Sequence, residues 1–237
     1  MKALILAAGL GKRMRPLTYQ CPKPLLSVGP CRLIDWSIAG LVKAGVREIV
    51  INAAHLSDQF EPTLGRERLG ARLQYSIEGP TWNESLETLG GIAKALPLLS
   101  EDDEPFIVVA GDIVSDFDFS RLVSHREAIR CGVKDAHLVL VPNPDFHPSG
   151  DMGLKGDWVC REKVYTFSSI GIYSPRVFKE IRPVYQKLFP WFYQFVDAQR
   201  VSGELFEGFW ENVGTPDALQ ALSQRCCLGK VPIPHLR

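Results

Sequence analysis

Runs of β-branched and other apolar residues at 2–8, 48–53, 72–77, 105–110 and 136–142 alternate with segments at 33–44, 56–64, 88–98 and 119–130 that carry apolar residues three or four apart. A chain with that order has few ways to bury itself. Several of the runs are apolar on both faces, as parallel strands covered by helices must be. Gly45, Gly65 and Gly132 fall where the helices should stop. The order predicts an α/β fold with an open, mostly parallel sheet and helices on both faces. Ligands of such sheets bind beyond the carboxyl ends of the strands.

The pattern changes after Pro142. Residues 143–174 are rich in Gly, Pro and Asp and hold short strand patterns at 158–160 and 164–173, which read as a small β-hairpin extension laid beside the sheet. Helical patterns follow near 176–181 and 191–199, then a strand at 205–211 and a final helix from Pro216 to about Cys226. Thr215 is a good N-cap for that helix, with Pro216 at its first position. Residues 229–237, with Pro232 and Pro234, read as a loose tail. With no internal repeat and no linker, residues 1–237 read as a single domain, and 237 residues at 46% hydrophobic are enough for one large core.

Charge narrows the function. There are 27 basic and 27 acidic residues, a formal net charge of zero, which argues against a nucleic-acid partner. No apolar run approaches the roughly 18–20 residues needed to span a bilayer, so no membrane partner is expected. The six cysteines form no C-x-x-C pair and read as reduced thiols of a cytoplasmic protein. The five histidines show no metal-ligand spacing and read as structural or exposed. The neutral total conceals a local excess. Residues 1–34 contain six basic residues and no acid, whereas 101–118 hold seven acids and neither Lys nor Arg.

The first strand runs into Gly9-Leu10-Gly11-Lys12-Arg13, a glycine turn that offers backbone N–H groups to a phosphate. It is not a Walker A loop, which would need Gly at position 6 and Ser or Thr at 13, where Leu6 and Arg13 stand. It is not the dinucleotide fingerprint either, which would need Gly at 14, where Met14 stands. The residual pattern is Gly-x-Gly-x-Arg with further positive charge at Lys12, Arg15 and Lys23, a set suited to a polyphosphate.

The run Leu-Ala-Ala-Gly-x-Gly-x-Arg-Met-Arg-Pro-Leu-Thr from Leu6 to Thr18, followed by Pro22-Lys23-Pro24-Leu25, resembles the signature of the sugar-1-phosphate nucleotidyltransferases. The resemblance continues through residues 48–52, Gly111-Asp112, residues 167–172 and Val213-Gly214-Thr215-Pro216. It implies a Rossmann-like sheet of the nucleotide-diphospho-sugar transferase type, with a nucleotide-binding half at 1–142 and a sugar-binding half at 143–228. It implies Mg²⁺ as cofactor, and a nucleoside triphosphate and a sugar 1-phosphate as partners. The short length and the segments 14–18, 150–151 and 201–204 are most similar to the branch that joins UTP to N-acetylmuramic acid α-1-phosphate in cell-wall sugar recycling. Mannose 1-phosphate with GTP and glucose 1-phosphate with dTTP are the alternative pairs. A non-catalytic sensor of nucleotide-sugars is the alternative of another class.

The resemblance also distributes roles. Arg13 is expected at the triphosphate and the departing pyrophosphate, Lys23 between the attacking phosphate and the α-phosphate, and Asp112 on the metal. Leu6, Ala7, Ala8, Gly9, Gly11 and Lys12 are expected to contact the nucleotide, with Glu78, Thr88 and Gly90 on its base and ribose side. The family's second metal-binding Asp falls at Asn212, whose amide oxygen can ligate Mg²⁺ without adding charge. Asp151, Gly153 and Gly171 are expected on the sugar. A muramate carboxylate would need hydrogen-bond donors or a cation, for which Arg161, Lys163 and Arg200 are unranked candidates. Trp82, in a short insertion at 80–83, is a candidate cover for the base or a side chain packed on the surface.

Overall fold

The computed structural model describes residues 1–79, 85–231 and 233–234. In chain order the strands are β1 (Ala3–Leu6), β2 (Ser27–Val28), β3 (Cys31–Arg32), β4 (Glu48–Ala53), β5 (Glu67–Arg68), β6 (Ala71–Ile77), β7 (Phe106–Ala110), β8 (Ile113–Ser115), β9 (Ala136–Val141), β10 (Met152–Lys155), β11 (Trp158–Tyr173), β12 (Val201–Leu205) and β13 (Trp210–Asn212). The helices are α1 (Leu33–Lys43), α2 (Phe60–Leu64), α3 (Glu87–Leu99), α4 (Ser120–Val123), α5 (Arg126–Arg130), α6 (Tyr193–Asp197) and α7 (Pro216–Cys227). Nine strands among the described residues form one open sheet in the order β12-β9-β11-β7-β1-β4-β6-β5, with β10 paired to β11. β7, β1, β4 and β6 run parallel, as do β9 and β12.

Strand alternation sends side chains to two cores. Ala3 and Ile5 of β1 pack with Ile34, Ile38 and Leu41 of α1, Phe60 of α2 and Leu122 of α4. Leu4, between them, packs on the other face with Leu89, Ile92 and Leu99 of α3 and with Phe178 and Phe192. Helices therefore cover both faces, as the doubly apolar runs required. A third cluster joins α7 to β2 and β3 through Val28, Cys31, Leu222 and Cys226. The Thr215 hydroxyl caps α7 by accepting from the Ala218 N–H at 3.2 Å.

Four segments depart from the sequence reading, the first being the helix expected near 176–181, which is a single 3-10 turn at Pro175–Val177. The hairpin does not lie beside the sheet. The strands expected at 158–160 and 164–173 are one strand, β11, sixteen residues long, which pairs with β10 and runs on into the sheet between β7 and β9, antiparallel to both. Ile170 and Ile172 are fully buried there, so the strand's far half is a core strand. The helix expected over 119–130 breaks into α4 and α5, where the Ser124 hydroxyl turns back to donate to the Arg121 carbonyl at 2.6 Å. The strand expected over 205–211 is two strands, β12 and β13, serving different sheets.

All six cysteines are free thiols. Among the described residues no helix is long and apolar enough to cross a membrane.

A polar cluster sits at the amino end of β9, away from the strand ends that hold ligands. The His125 and His137 rings stack at 3.7 Å. Lys134 Nζ reaches His125 Nδ1 at 2.9 Å and donates to the Ser202 hydroxyl at 2.8 Å. His137 Nε2 and Glu204 Oε1 face each other at 3.5 Å. One ligand-capable atom from each of His125, His137 and Glu204 lies within 4.8 Å of the others, with the Lys134 ammonium already at His125 Nδ1. Burial pushes the His125 imidazole down to about 4, helped by His137 and Lys134, and burial lowers His137 as well. Burial makes both rings harder to protonate in the folded chain than in the unfolded one, where a histidine takes a proton near pH 6.5. As pH falls from about 7 toward 5, the unfolded chain gains protons that the folded chain refuses, so stability must fall. Urea midpoints at pH 7.5 and 5.0 should show this loss, and His125→Gln should shrink it. A midpoint unchanged between the two pH values would contradict it.

Candidate active site

The carboxyl ends of β1, β4 and β7 are in register, with Leu6 beside Asn52 and Ala110. Beyond them the chain turns, and the N–H groups of the turns lose their sheet partners. The loop after β1 is closed on itself. Gly11 has a φ of 57°, which would cost another residue roughly 1–2 kcal/mol. A Cβ there would also stand 2.7 Å from Thr18 Cγ2. The Gly11 carbonyl accepts from the Thr18 hydroxyl at 2.9 Å and from the Met14 N–H at 2.8 Å. Folded this way, residues 6–14 line one wall of a cleft of about 520 Å³.

The cations are arranged unequally. Lys12 and Arg13 are exposed on the cleft wall and have no carboxylate partner among the described residues. The Arg13 guanidinium lies across Gly214, about 3.5 Å from where a Cβ would stand. Arg15 stacks over the Tyr19 ring at 5.0 Å and so stiffens the loop. Lys23 is buried in the turn Lys23–Leu25, and its amine donates to Asp112 Oδ2.

Asp112 follows β7 on the cleft wall, and its backbone is tied to the far end of the chain. β13 pairs antiparallel with β8, which sets Asn212 opposite Ile113. The Val213 N–H donates to the Asp112 carbonyl at 3.2 Å. Asn212 Oδ1 is buried and has no hydrogen-bond partner. Leaving such an oxygen unpaired costs about 1–3 kcal/mol. Asp112 lines the cleft and Asn212 does not, but each carries an oxygen of the kind a hard cation takes along with water or phosphate oxygens. Glu211, next to Asn212, is held by Arg225 of α7.

The wall across from the glycine loop rests on Asn52. Its Oδ1 accepts from the Ala7 N–H at 3.0 Å, and its Nδ2 donates to Glu78 Oε1. Glu78 Oε2 accepts from the Leu86 N–H at 2.7 Å, just before α3. Burial raises the Glu78 pKa, against these hydrogen bonds and the nearby Lys94. Glu78 thus lines the cleft with both oxygens already used, and Thr88 lines it from the first turn of α3.

Ser169 lines the cleft from an irregular point in β11. The pairing of β11 with β9 shifts register between Phe167 and Ile170. The displaced backbone is repaired by Ser168, whose hydroxyl donates to the Val139 carbonyl at 2.7 Å and accepts from the Ile170 N–H at 3.2 Å. Ser169 is left at φ 62°, facing the cleft.

The structure gathers Leu6, Ala7, Ala8, Gly9, Gly11, Lys12, Arg13, Lys23, Glu78, Thr88 and Asp112 around one cleft. Gly90 lies outside it, beneath the carbonyl of Val184, which a Cβ would displace. Asp151 lies outside it too. Its Oδ1 meets His147 Nε2 at 2.9 Å and its Oδ2 accepts from the Phe167 N–H at 2.9 Å, so it pins the hairpin. Gly153 packs within that hairpin, and Gly171 between β9 and β7. Arg161 is held by Asp197 and Arg200 by Asp135. Trp82 falls outside the described residues. The cleft also uses Asn52, Ser169 and Gly214, to which the sequence reading gave no role. Asn52 had a signal, a lone amide at the end of an apolar strand. Ser169 had none, because a bulge is a property of the pairing.

An open α/β sheet with a basic glycine loop at its carboxyl edge, facing a carboxylate across a cleft, defines a protein that handles a nucleotide's phosphates. The chain belongs to the nucleotidyl transferase family, whose sequence model matches residues 2–150, and it is a nucleotidyltransferase. It is 44% identical over 222 residues to the N-acetylmuramate alpha-1-phosphate uridylyltransferase of Neisseria meningitidis serogroup B, with 91% of this chain and 94% of that protein covered. It is 32% identical over 236 residues to the mannose-1-phosphate guanylyltransferase catalytic subunit beta of Xenopus tropicalis, covering 91% of this chain but 62% of that longer protein. Among solved structures, a Bacillus anthracis chain assigned as a glucose-1-phosphate thymidylyltransferase, solved with sucrose, superposes with a TM-score of 0.81 at 20% identity over 100% of this chain and 98% of that one. HddC of Yersinia pseudotuberculosis, solved with GMP-PN, gives 0.75 at 17% identity over 95% and 99%. These two likenesses establish the fold.

Ser169 gives the geometry a test. Left-handed strain of roughly 1–2 kcal/mol outweighs the 0.5–1 kcal/mol of extra chain entropy that glycine brings. Ser169→Gly should therefore stabilise the fold by about 0.5–1 kcal/mol, a rise of roughly 1–4 °C in melting temperature by calorimetry. A lower melting temperature would mean that the hydroxyl's contacts outweigh the strain.

Proposed function

We propose that this nucleotidyltransferase moves a uridylyl group from UTP to N-acetylmuramic acid α-1-phosphate, giving UDP-N-acetylmuramate and pyrophosphate. The observation that carries the reaction class is the cleft itself, where buried Lys23 meets Asp112 beneath an unpaired Arg13. The substrates follow from the 44% identity to the meningococcal uridylyltransferase, which spans nearly the full length of both chains.

A sugar phosphate has a second pKa near 6 and is largely a dianion at neutral pH. One of its oxygens attacks the α-phosphorus of UTP. The bond from the α-phosphorus to the bridging oxygen breaks, and its electron pair leaves with pyrophosphate. No proton has to be removed from the nucleophile, so the cleft needs alignment and charge neutralisation rather than a strong base. Lys12 and Arg13 hold the β- and γ-phosphates, and the N–H groups after β1 hold the nucleotide against the strand ends. Lys23 exchanges Asp112 for phosphate oxygens as substrate enters, and so lies between nucleophile and α-phosphate. Asp112 and Asn212 would hold Mg²⁺ through oxygen. When bound, the ion offsets charge on the phosphates and on the leaving pyrophosphate. Asn52 and Glu78 position the glycine loop and the start of α3 on the base side. Free thiols suit a reduced cytoplasm, where recycled cell-wall sugars would be activated.

The test is pyrophosphate release over a matrix of UTP, GTP and dTTP against muramate, mannose and glucose 1-phosphates. UTP with the muramate compound should give the highest kcat/KM. Preference for GTP with mannose 1-phosphate would move the reading to the guanylyltransferases. Binding without release from any pair would make the protein a sensor. Asp112→Ala should lower kcat by about 100-fold or more. Asn212→Asp should lower the Mg²⁺ concentration needed for half-maximal rate, since it adds a charge to the donor set. A collapse of activity in that variant would show that the amide has another task.

A further inference from the structure

A second hollow of about 280 Å³ opens off the nucleotide cleft and shares Leu6, Glu87, Thr88 and Ser169 with it. Whatever reacts with a nucleotide in the first space has this one beside it. Its remaining walls are apolar, from Val108, Phe167, Tyr173, Leu188 and Phe189, with one exception. The exception is Lys187, which is exposed at the rim and has no carboxylate within ion-pair reach among the described residues.

The backbone that carries Lys187 is fixed on both sides. The Leu89 N–H donates to the Gln186 carbonyl at 3.0 Å, and the Gln186 N–H donates to the Leu86 carbonyl at 2.9 Å. On the other side Leu188 is buried in the core that contains α3. The segment docks this closely because Gly90 has no side chain to meet the Val184 carbonyl. With the backbone already fixed, only the rotamers of the lysine side chain remain to be ordered when a ligand arrives. Among the other cations of this half, Lys163 and Arg182 are exposed and do not line the hollow, and three more are held by acids. Arg161 donates to Asp197 at 2.7 Å, Arg200 to Asp135 at 3.0 Å, and Lys155 pairs with Glu162 at 2.5 Å, all outside the hollow. Glu87, on the shared wall, accepts from the Tyr185 hydroxyl at 3.4 Å. Its negative charge turns an anionic substituent away from that wall and toward Lys187.

We propose that Lys187 is the residue that recognises a carboxylate on the acceptor sugar, with the apolar walls taking the uncharged substituents of the ring. The proposal rests on the reading of the acceptor as a muramate 1-phosphate. It assigns to Lys187 the selection of acids over otherwise identical sugars. A site built to pair a charge rejects the analogue that lacks it more strongly than an apolar pocket rejects a missing methylene.

Two acceptors separate the possibilities: N-acetylmuramic acid 1-phosphate, and N-acetylglucosamine 1-phosphate, which has the same ring without the lactyl acid. Lys187→Met keeps the apolar stem and removes the charge, and Lys187→Arg keeps the charge. With UTP saturating, Lys187→Met should raise the KM for the muramate acceptor by about 10- to 100-fold. It should leave the KM for UTP and the kcat/KM for the glucosamine acceptor within about twofold, and Lys187→Arg should restore most of the loss. Where the glucosamine compound is not turned over, its inhibition constant against the muramate acceptor takes the place of kcat/KM. An equal loss on both acceptors, or no loss on either, overturns the role of Lys187 while leaving the uridylyltransferase reading intact. Wild-type turnover of the glucosamine acceptor but not the muramate one overturns the acceptor reading, and the role of Lys187 with it.

Discussion

Asn52 is the point on which the cleft depends. Its two amide atoms join three elements that are distant in the chain: the loop after β1, through Ala7; the end of β6, through Glu78; and the start of α3, through Leu86. A buried polar relay of this kind is stable only when every member is satisfied, and this one is. Removing the Asn52 amide would orphan the Glu78 oxygen, at about 1–3 kcal/mol, while the Ala7 N–H would keep its bond to the Asn52 main-chain carbonyl at 3.0 Å. The relay also explains why Glu78 is a positioning residue. Both of its oxygens are engaged in holding the walls apart at a fixed width.

The charges obey the same geometry. Parallel strands that end in register present their loops side by side, so a basic loop after β1 must face the turn after β7. That turn carries Asp112, and Lys23 closes the gap as an ion pair. A pair this shielded contributes little net stability, because desolvation offsets most of the attraction. Its value is placement. Each partner is held in position by a group that a substrate can replace: phosphate oxygens for the amine, a cation for the carboxylate. Lys12 and Arg13, which have no such partner, extend the positive field outward to meet an incoming triphosphate.

The α/β order, both covered faces and the cap at Thr215 could be read from the sequence because each is set by local periodicity or by a single side chain. The glycine loop was legible for a similar reason, since its residues are contiguous. The features that escaped depended on pairing between distant strands. The hairpin segment looked like an appendage because 143–157 is rich in turn residues, yet β11 runs on into the sheet. Ser169 faces the cleft because of a register shift that no single strand reveals. Asp151 had the right type and neighbourhood for a sugar ligand. A carboxylate beside unpaired backbone N–H groups is captured by them, however, and here the Phe167 N–H and His147 take both oxygens. Likewise Arg161 and Arg200 could not be ranked from sequence, since only the fold shows which acids stand beside them.

Two spaces that share Leu6, Glu87, Thr88 and Ser169 make donor and acceptor binding interdependent. Three of these walls are tied to other parts of the cleft: Leu6 to the glycine loop, Thr88 to the relay through the start of α3, and Ser169 to the bulge that Ser168 repairs. A shift of any of them widens one space at the expense of the other. Reaction between two bound phosphates needs their reacting atoms within about 3–3.5 Å, and small misplacements are costly. The arrangement therefore favours rigidity at the shared wall and leaves freedom at the rims, where the unpaired side chains Lys12, Arg13 and Lys187 stand. Selection of substrates can then vary at the rims without disturbing the alignment that transfer requires, which is how one sheet can serve relatives with different bases and different sugars.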